Sequence, residues 1–487
     1  MLFNSIDFAI FLPVVFLLYW FVVQRNLSLQ NALLVMASYV FYGWWDWRFL
    51  SLIIFSSGVD FFVGRRLSRT ENPKHRTAFL LLSIFVNIGF LGVFKYFNFF
   101  AQSFADAFTL FGAEIEPARL KIILPVGISF YTFQTLSYTI DVYRRKMEAG
   151  DDIISFFAFV SFFPQLVAGP IERASNLLPQ FYRKRIFDYG MAADGMRQIL
   201  WGLFKKIVIA DNAAVYANDI FQNYTDYSGS TLLFGTFMFA LQIYGDFSGY
   251  SDIAIGTARL FGFKLMQNFN FPYFSRDIAE FWRRWHISLS SWFRDYVYIP
   301  IGGSRGNSWM KIRNIFVIFL VSGFWHGANW TFLIWGFLNA LYFLPLMLLN
   351  RNRKYTDTVA EGKILPGFRE TFQMITTFLL TCLAWVFFRA DSVDHAFSYL
   401  SKIFSSSIFE SPVKDLWAMN TGNHIIILSV SMVLFLILEW VQRNKKHGLE
   451  LDSEKLPKYL RWGLYYVVII ALFMMNGVQQ KFIYFQF

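Results

Sequence analysis

The stretch Ser322-Gly-Phe-Trp-His326-Gly-Ala-Asn-Trp330-Thr-Phe-Leu-Ile-Trp-Gly-Phe-Leu-Asn-Ala-Leu-Tyr-Phe-Leu-Pro-Leu-Met-Leu-Leu349 contains no Lys, Arg, Asp or Glu. Its apolar part, Trp330 to Leu349, is long enough to cross a bilayer, which takes roughly 17 to 25 residues of helix. The same stretch carries one ionisable ring, His326, flanked by aromatic residues and by Gly323 and Gly327. An imidazole at membrane depth is costly to bury without a partner or a wet cavity, so it marks a candidate functional position.

Further uncharged runs recur on both sides of this stretch: Phe8–Val23, Leu29–Trp45, Phe49–Val59, Ala78–Phe94, Ile122–Ile140, Ile153–Val167, Leu232–Tyr244, Phe372–Phe388, Ile425–Leu438 and Trp462–Val478. With 56% hydrophobic and only 16% charged residues, the chain lies outside the composition of soluble domains. The runs predict an all-α integral membrane protein of about 10–12 transmembrane helices. Shorter or interrupted segments add re-entrant or interfacial helices; one is Ile199–Ala210, which holds Lys205 and Lys206.

No Lys or Arg precedes the first apolar run and no small-residue cleavage signal follows it, so it is read as retained, with the N-terminus outside. That orientation puts the basic loop Arg65, Arg66, Arg69, Lys74 and Arg76 in the cytoplasm, followed by Arg144, Arg145 and Lys146. The clusters at Arg351, Arg353 and Lys354 and at Arg443, Lys445 and Lys446 fit the same side. Topology and anionic lipid headgroups therefore account for the net charge of +11, and no nucleic-acid partner is invoked. A single cysteine, Cys382, excludes an intrachain disulfide and a cysteine-based metal site.

No low-complexity linker or internal repeat divides the sequence, which reads as one domain over 1–487. Between Tyr244 and Trp330 the long apolar runs give way to shorter pieces rich in Gly, Asp, Arg and Trp. That texture is expected where backbone bends around a cavity, so the catalytic centre is placed within 244–330.

Within that window, Asp277 to Trp292 reads as an amphipathic helix: Asp277 caps it, Glu280 follows three residues later, and Ile278, Phe281, Trp285, Leu289 and Trp292 share a stripe. Glu280, Arg283 and Arg284 fall away from the stripe, while His286 joins Trp282, Ser290 and Phe293 on its flank. An interfacial helix with headgroup-level tryptophans explains the pattern without catalysis. His326 has a similarly plain explanation, in which Gly323 and Gly327 let helices approach and the imidazole bonds across the contact. The functional alternative is that the same glycines leave room for substrate beside the ring. A desolvated imidazole stays neutral and accepts a proton near pH 7, which suits transfer of an activated acyl group to a hydroxyl.

Two further segments are more polar than packing requires, Tyr244–Asp252 and Phe163–Arg173. Asp246 and Asp252 need partners at such depth, and Arg173, Arg259, Arg276 and Arg283 are the candidates, with structural ion pairing favoured over arginines gripping a phosphate. The sequence holds no G-x-S-x-G elbow, H-E-x-x-H, P-loop or dinucleotide fingerprint.

Taken together, Pro125–Gln134, Ala168-Gly-Pro-Ile171, Asp246-Phe-Ser-Gly-Tyr-Ser-Asp252, Phe281-Trp-Arg-Arg-Trp-His286 and Gly323-Phe-Trp-His-Gly327 resemble the membrane-bound O-acyltransferases, and within them the bacterial branch that acetylates alginate-like exopolysaccharides. The resemblance runs from the N-terminal Met-Leu-Phe-Asn-Ser to the terminal Phe-Ile-Tyr-Phe-Gln-Phe. It implies helices wrapped around a thinned centre with a tunnel, His326 at the family's nearly invariant histidine and His286 at the second histidine position. Trp325, Asp246, Asp252, Arg283, Gly323 and Gly327 are then expected to bind substrate or support the site. The resemblance also implies no bound cofactor or metal, acetyl-CoA or another activated acyl donor as substrate, a polysaccharide acceptor, an extracytoplasmic esterase-like acetyltransferase partner, and a multi-pass protein in the bacterial inner membrane. Competing expectations are D-alanyl transfer to teichoic acid from a carrier protein, a polysaccharide or ion transporter using Asp246, Asp252 and the arginines, and a scaffold recruiting a soluble enzyme.

Overall fold

The structure, a computed structural model, describes residues 1–487 except 110–114, 118, 121–122, 420–423, 452–455, 476, 478, 481 and 484–487. The ends of two apolar runs, Ile122 and Val478, and the last four residues of the terminal motif lie outside the described residues. Every regular element among the described residues is helical. Contacts cluster into two compact units: Met1–Ala193 with Thr257–Met266, and Asp194–Gly256 with Gln267–Phe487.

Among the described residues, five helical stretches are long and apolar enough to cross a membrane: Leu27–Arg69, Pro73–Thr109, Trp330–Leu348, Phe368–Arg389 and His424–Val441. Several other apolar runs become broken or short helices. Ile153–Val167, for example, divides into Ile153–Ser161 and Phe163–Leu166. Phe162 leaves the helical region there (φ −51°, ψ 105°), and Pro164 stands in the first turn of the helix that follows, where its missing N–H costs no helical hydrogen bond. Uncharged length alone therefore does not separate a crossing helix from one that ends inside the protein.

In the first unit, polar side chains pin the apolar helices in register. Asp60 on Leu50–Arg69 accepts hydrogen bonds from Ser83 (2.5 Å) and Asn87 (2.9 Å) on Pro73–Leu91 and from Thr139 (3.2 Å) on Ile128–Tyr143. Gly64, one turn from Asp60, lets the Tyr138 ring press against its backbone, where a methyl group would lie 2.8 Å from the ring carbon Cζ. In hydrocarbon such polar clusters and small-residue contacts replace the hydrophobic effect as the source of helix association. Asn31 donates to Ser155 (3.0 Å) and to the Phe181 carbonyl (2.9 Å) and accepts from Arg185 (2.7 Å), while Tyr19 and Trp20 donate to the carbonyls of Phe261 and Leu260.

The second unit is built on a glycine seam. Gly202 lies against Gly249 and Gly195 against Gly256, so closely that a methyl on Gly249 would sit 2.7 Å from the Gly202 carbonyl oxygen. These residues bring Tyr189–Leu203 and its π-helical continuation, Phe204–Ala210, against the long helix Gly229–Leu260. That helix runs unbroken through Tyr244–Asp252, so the shorter pieces expected from Tyr244 begin only after Leu260. The charged residues there are paired, which removes the need for the backbone to bend.

Candidate active site

The segment Asp277–Trp292 is two helices, Ile278–Arg284 and Ile287–Phe293, instead of the single amphipathic helix its apolar stripe predicts. The expected cap is present, with Asp277 accepting from the Glu280 amide at 2.7 Å. The break falls at Trp285 (φ −99°, ψ 128°) and His286, whose φ of 44° and ψ of 53° are left-handed. A non-glycine residue there is strained by about 1–3 kcal/mol, and such strain persists only where neighbours impose it.

Asn268 is that neighbour. Its backbone carbonyl accepts from the Ile287 amide (2.9 Å), its side-chain Oδ1 accepts from the Ser288 amide (3.3 Å) and hydroxyl (2.9 Å), and Asn270 donates to the Arg284 carbonyl (2.9 Å). The first amides of Ile287–Phe293 are thus capped from a distant part of the chain, at the point where the left-handed turn exposes them. The apolar stripe continues unbroken across Trp285 and His286, so the periodicity contains no sign of the break.

His286 is buried, 1% exposed, between the edge of Phe247 (centroids 4.6 Å, 87°), Phe269 and Trp325 (6.1 Å). Its Nδ1 lies 3.0 Å from Asn268 Oδ1. It stands outside the five candidate spans, and burial pushes its pKa down to about 3, so the ring is neutral at physiological pH.

His326 ends the helix Ser308–His326, and after Gly327 the chain turns into Trp330–Leu348 under an Asn329 cap (Asn329 Oδ1 accepting from the Thr331 amide, 3.1 Å). Its ring, in a residue 4% exposed, packs against Trp325 (4.8 Å), Trp335 (5.1 Å, 85°) and Phe388 (5.1 Å, 71°). Trp325 therefore contacts both histidine rings. Trp335 stacks in turn on Trp385 (5.8 Å, 18°), which meets Trp285 at 5.1 Å, so an aromatic wall joins the two histidine-bearing segments. Trp335, Trp385 and Phe388 belong to apolar runs that look like ordinary membrane spans, which gives the sequence no signal for their role.

Of the two readings of Gly323 and Gly327, room for substrate and close helix packing, the position of Phe332 favours packing. A methyl at Gly327 would lie 2.8 Å from Cζ of that ring, and one at Gly323 would meet the Phe332 backbone and the Gly336 Cα at 3.4 Å. Both glycines serve close helix packing, with Gly336 placed reciprocally against the Phe319 and Leu320 backbone.

Asp246 and Asp252 are paired with lysines instead of the arginines expected. Lys206 Nζ lies 2.7 Å from Asp246 and 2.8 Å from Asp211, and Lys205 Nζ lies 2.5 Å from Asp252, which also accepts from Gln198 (2.7 Å). Sequence reasoning misses the lysines as partners because they stand inside an apolar run, and that interruption is the available signal. The widened π turn at Phe204–Ala210 and the glycine seam carry them to the carboxylates.

The arginines act elsewhere. Arg276 pairs with Glu280 (3.0 Å) and Asp357 (3.0 Å), and Arg284 with Glu280 (2.9 Å). Arg283 donates to the carbonyls of Asn352 (2.6 Å) and Tyr355 (2.5 Å), strapping the loop between Leu348 and Phe368 and not the histidines. Arg276 beside Asp357 holds that carboxyl below its usual range.

The membrane-bound O-acyltransferase family profile matches residues 150–388, which include both histidines. A probable alginate O-acetylase of Pseudomonas aeruginosa is 41% identical over 83% of this chain and 75% of its own length. The peptidoglycan O-acetyltransferase of Helicobacter pylori is 34% identical over 100% of this chain and 98% of its own. A teichoic acid D-alanyltransferase of Bacillus subtilis is more distant, 29% identical over 56% of this chain and 71% of its own. The extent and identity of these matches, on a helical membrane protein with two buried histidines about one tryptophan, make the chain a member of the membrane-bound O-acyltransferase family and a membrane O-acetyltransferase.

Proposed function

We propose that the protein takes an acetyl group from an activated donor such as acetyl-CoA, on the cytoplasmic side of a bacterial inner membrane, and delivers it toward a hydroxyl of an extracytoplasmic polysaccharide. The observation that carries this reading is the pair of buried imidazoles, His286 and His326, in contact with Trp325 in a chain 41% identical to an alginate O-acetylase. His326 acts as general base or proton relay. It takes the proton from an attacking hydroxyl as the new C–O bond forms and the donor's acyl bond breaks, and the leaving group takes up a proton. A histidine so placed contributes roughly 10²–10⁴ in rate. His286 orients donor or acceptor, and Trp325 keeps the two rings apart in a dry setting that favours neutral imidazole.

The acceptor glycan is exported material, either an alginate-like exopolysaccharide or peptidoglycan, since relatives acting on each match most of this chain. The basic loops support a reading with the N-terminus outside, in which a soluble extracytoplasmic acetyltransferase is the partner in the ester transfer. Mass spectrometry of glycans from cells with and without the gene tests this reading: acetyl esters that vanish with the gene support it. D-alanyl esters on teichoic acid would replace it with the chemistry of the more distant relatives.

A further inference from the structure

The contacts of Asn268 extend beyond capping. Asn268 is fully buried; the Ser288 amide and hydroxyl both donate to its Oδ1, and His286 Nδ1 lies 3.0 Å from the same oxygen. Its Nδ2 donates to Ser251 Oγ at 3.0 Å. The backbone amide of Ser288 can only donate, so the carboxamide cannot be turned round without setting N–H against N–H. With the oxygen fixed in place, the atom opposite it on the imidazole must carry hydrogen.

We propose that Asn268 is a positioning residue that holds His286 as its Nδ1–H tautomer and leaves Nε2 as the basic nitrogen of the ring. The proposal rests on the reading that His286 orients a substrate, and it adds the device that sets which face of the imidazole can accept a hydrogen bond. The long helix Gly229–Leu260 supports both sides of the device: Ser251 receives the Asn268 amide, and Phe247, one turn earlier, presents its edge to the His286 ring. The left-handed backbone at His286 belongs to the same arrangement, since it lets one asparagine reach both the ring and the amides that follow. An orienting partner on the second ring nitrogen is the general means by which proteins choose a histidine tautomer.

Nitrogen-15 spectra of histidine-labelled protein test the assignment directly in the unaltered chain, because the sequence has only 6 histidines and His286 can be assigned by comparison with H286A. We expect a protonated Nδ1 and an unprotonated Nε2; the reverse pattern overturns the proposal. A second arm uses Asn268→Asp. Its carboxylate keeps the acceptor but stabilises the imidazolium, so the pH at which the nitrogen-15 spectra show His286 gaining its second proton is expected to move up by about one unit or more. An N268D titration that coincides with wild type overturns the proposal. An N268D protein that fails to fold leaves the spectra of the unaltered chain to decide. H286A activity is read separately: full activity there removes the orienting role of His286 but leaves the tautomer assignment standing on the spectra.

Discussion

Replacing Gly323 by Ala gives the sharpest mechanical test of how the site is held. The added methyl would stand 3.2 Å from the Phe332 carbonyl carbon and 3.4 Å from the Gly336 Cα, and nearer still to the Phe332 oxygen. Carbon atoms pack best at about 3.5–4.0 Å, so the helices Ser308–His326 and Trp330–Leu348 must part by roughly half an ångström or more. Overpacking of this kind costs about 1–3 kcal/mol. The displacement also acts on the chemistry, because Gly323 lies one turn before His326 and Gly336 directly follows Trp335, the ring against His326. Misplacement on the ångström scale at a reacting group costs as much as about a hundredfold in rate. We therefore expect G323A to melt below wild type in detergent and to retain at most about a tenth of the acetyl transfer. Gly463, where an added methyl would meet nothing within 4 Å, supplies the control: G463A should match wild type in both measurements. A G323A protein as stable and active as G463A would refute the claim that the glycine contact positions His326.

Removing one member of a buried ion pair leaves the other uncompensated, at about 3–5 kcal/mol. Lys205→Met should therefore lower thermal stability sharply, and adding Asp252→Asn should recover much of the loss; equal stability of K205M and wild type would contradict a structural role for the pair. Asp357 lies in the loop between spans with its folded pKa depressed by Arg276. A depressed carboxyl stabilises the fold above its unfolded pKa of about 4, and that contribution disappears as pH falls through the lower folded value. The stability gap between wild type and D357N should accordingly be present at neutral pH and close in acid, and a gap that widens on acidification would reverse the assignment. His286→Ala should reduce acetyl transfer less than His326→Ala, and the opposite order in a direct ester assay would exchange their roles.

Membrane character, all-helical class and both histidines are legible in the sequence, because uncharged runs and an imidazole among apolar residues are local signals. What stays hidden depends on residues far apart in the chain. The break at His286 is enforced by Asn268 and masked by a continuous apolar stripe. Lys205 and Lys206 resemble flaws in an apolar run until the glycines at 202, 245 and 249 bring a second helix beside them. Gly323 and Gly327 show the reverse difficulty: a missing side chain reads equally as room for substrate and as room for another helix, and only the position of Phe332 favours one over the other.

Removal of the attacking hydroxyl's proton by His326 is the step on which the proposed chemistry depends. It is read out by the yield of acetyl ester on the glycan in cells carrying His326→Ala, with the variant protein shown to be folded and present at wild-type amounts. A base at this position predicts a loss of roughly a hundredfold or more; undiminished acetylation would contradict it.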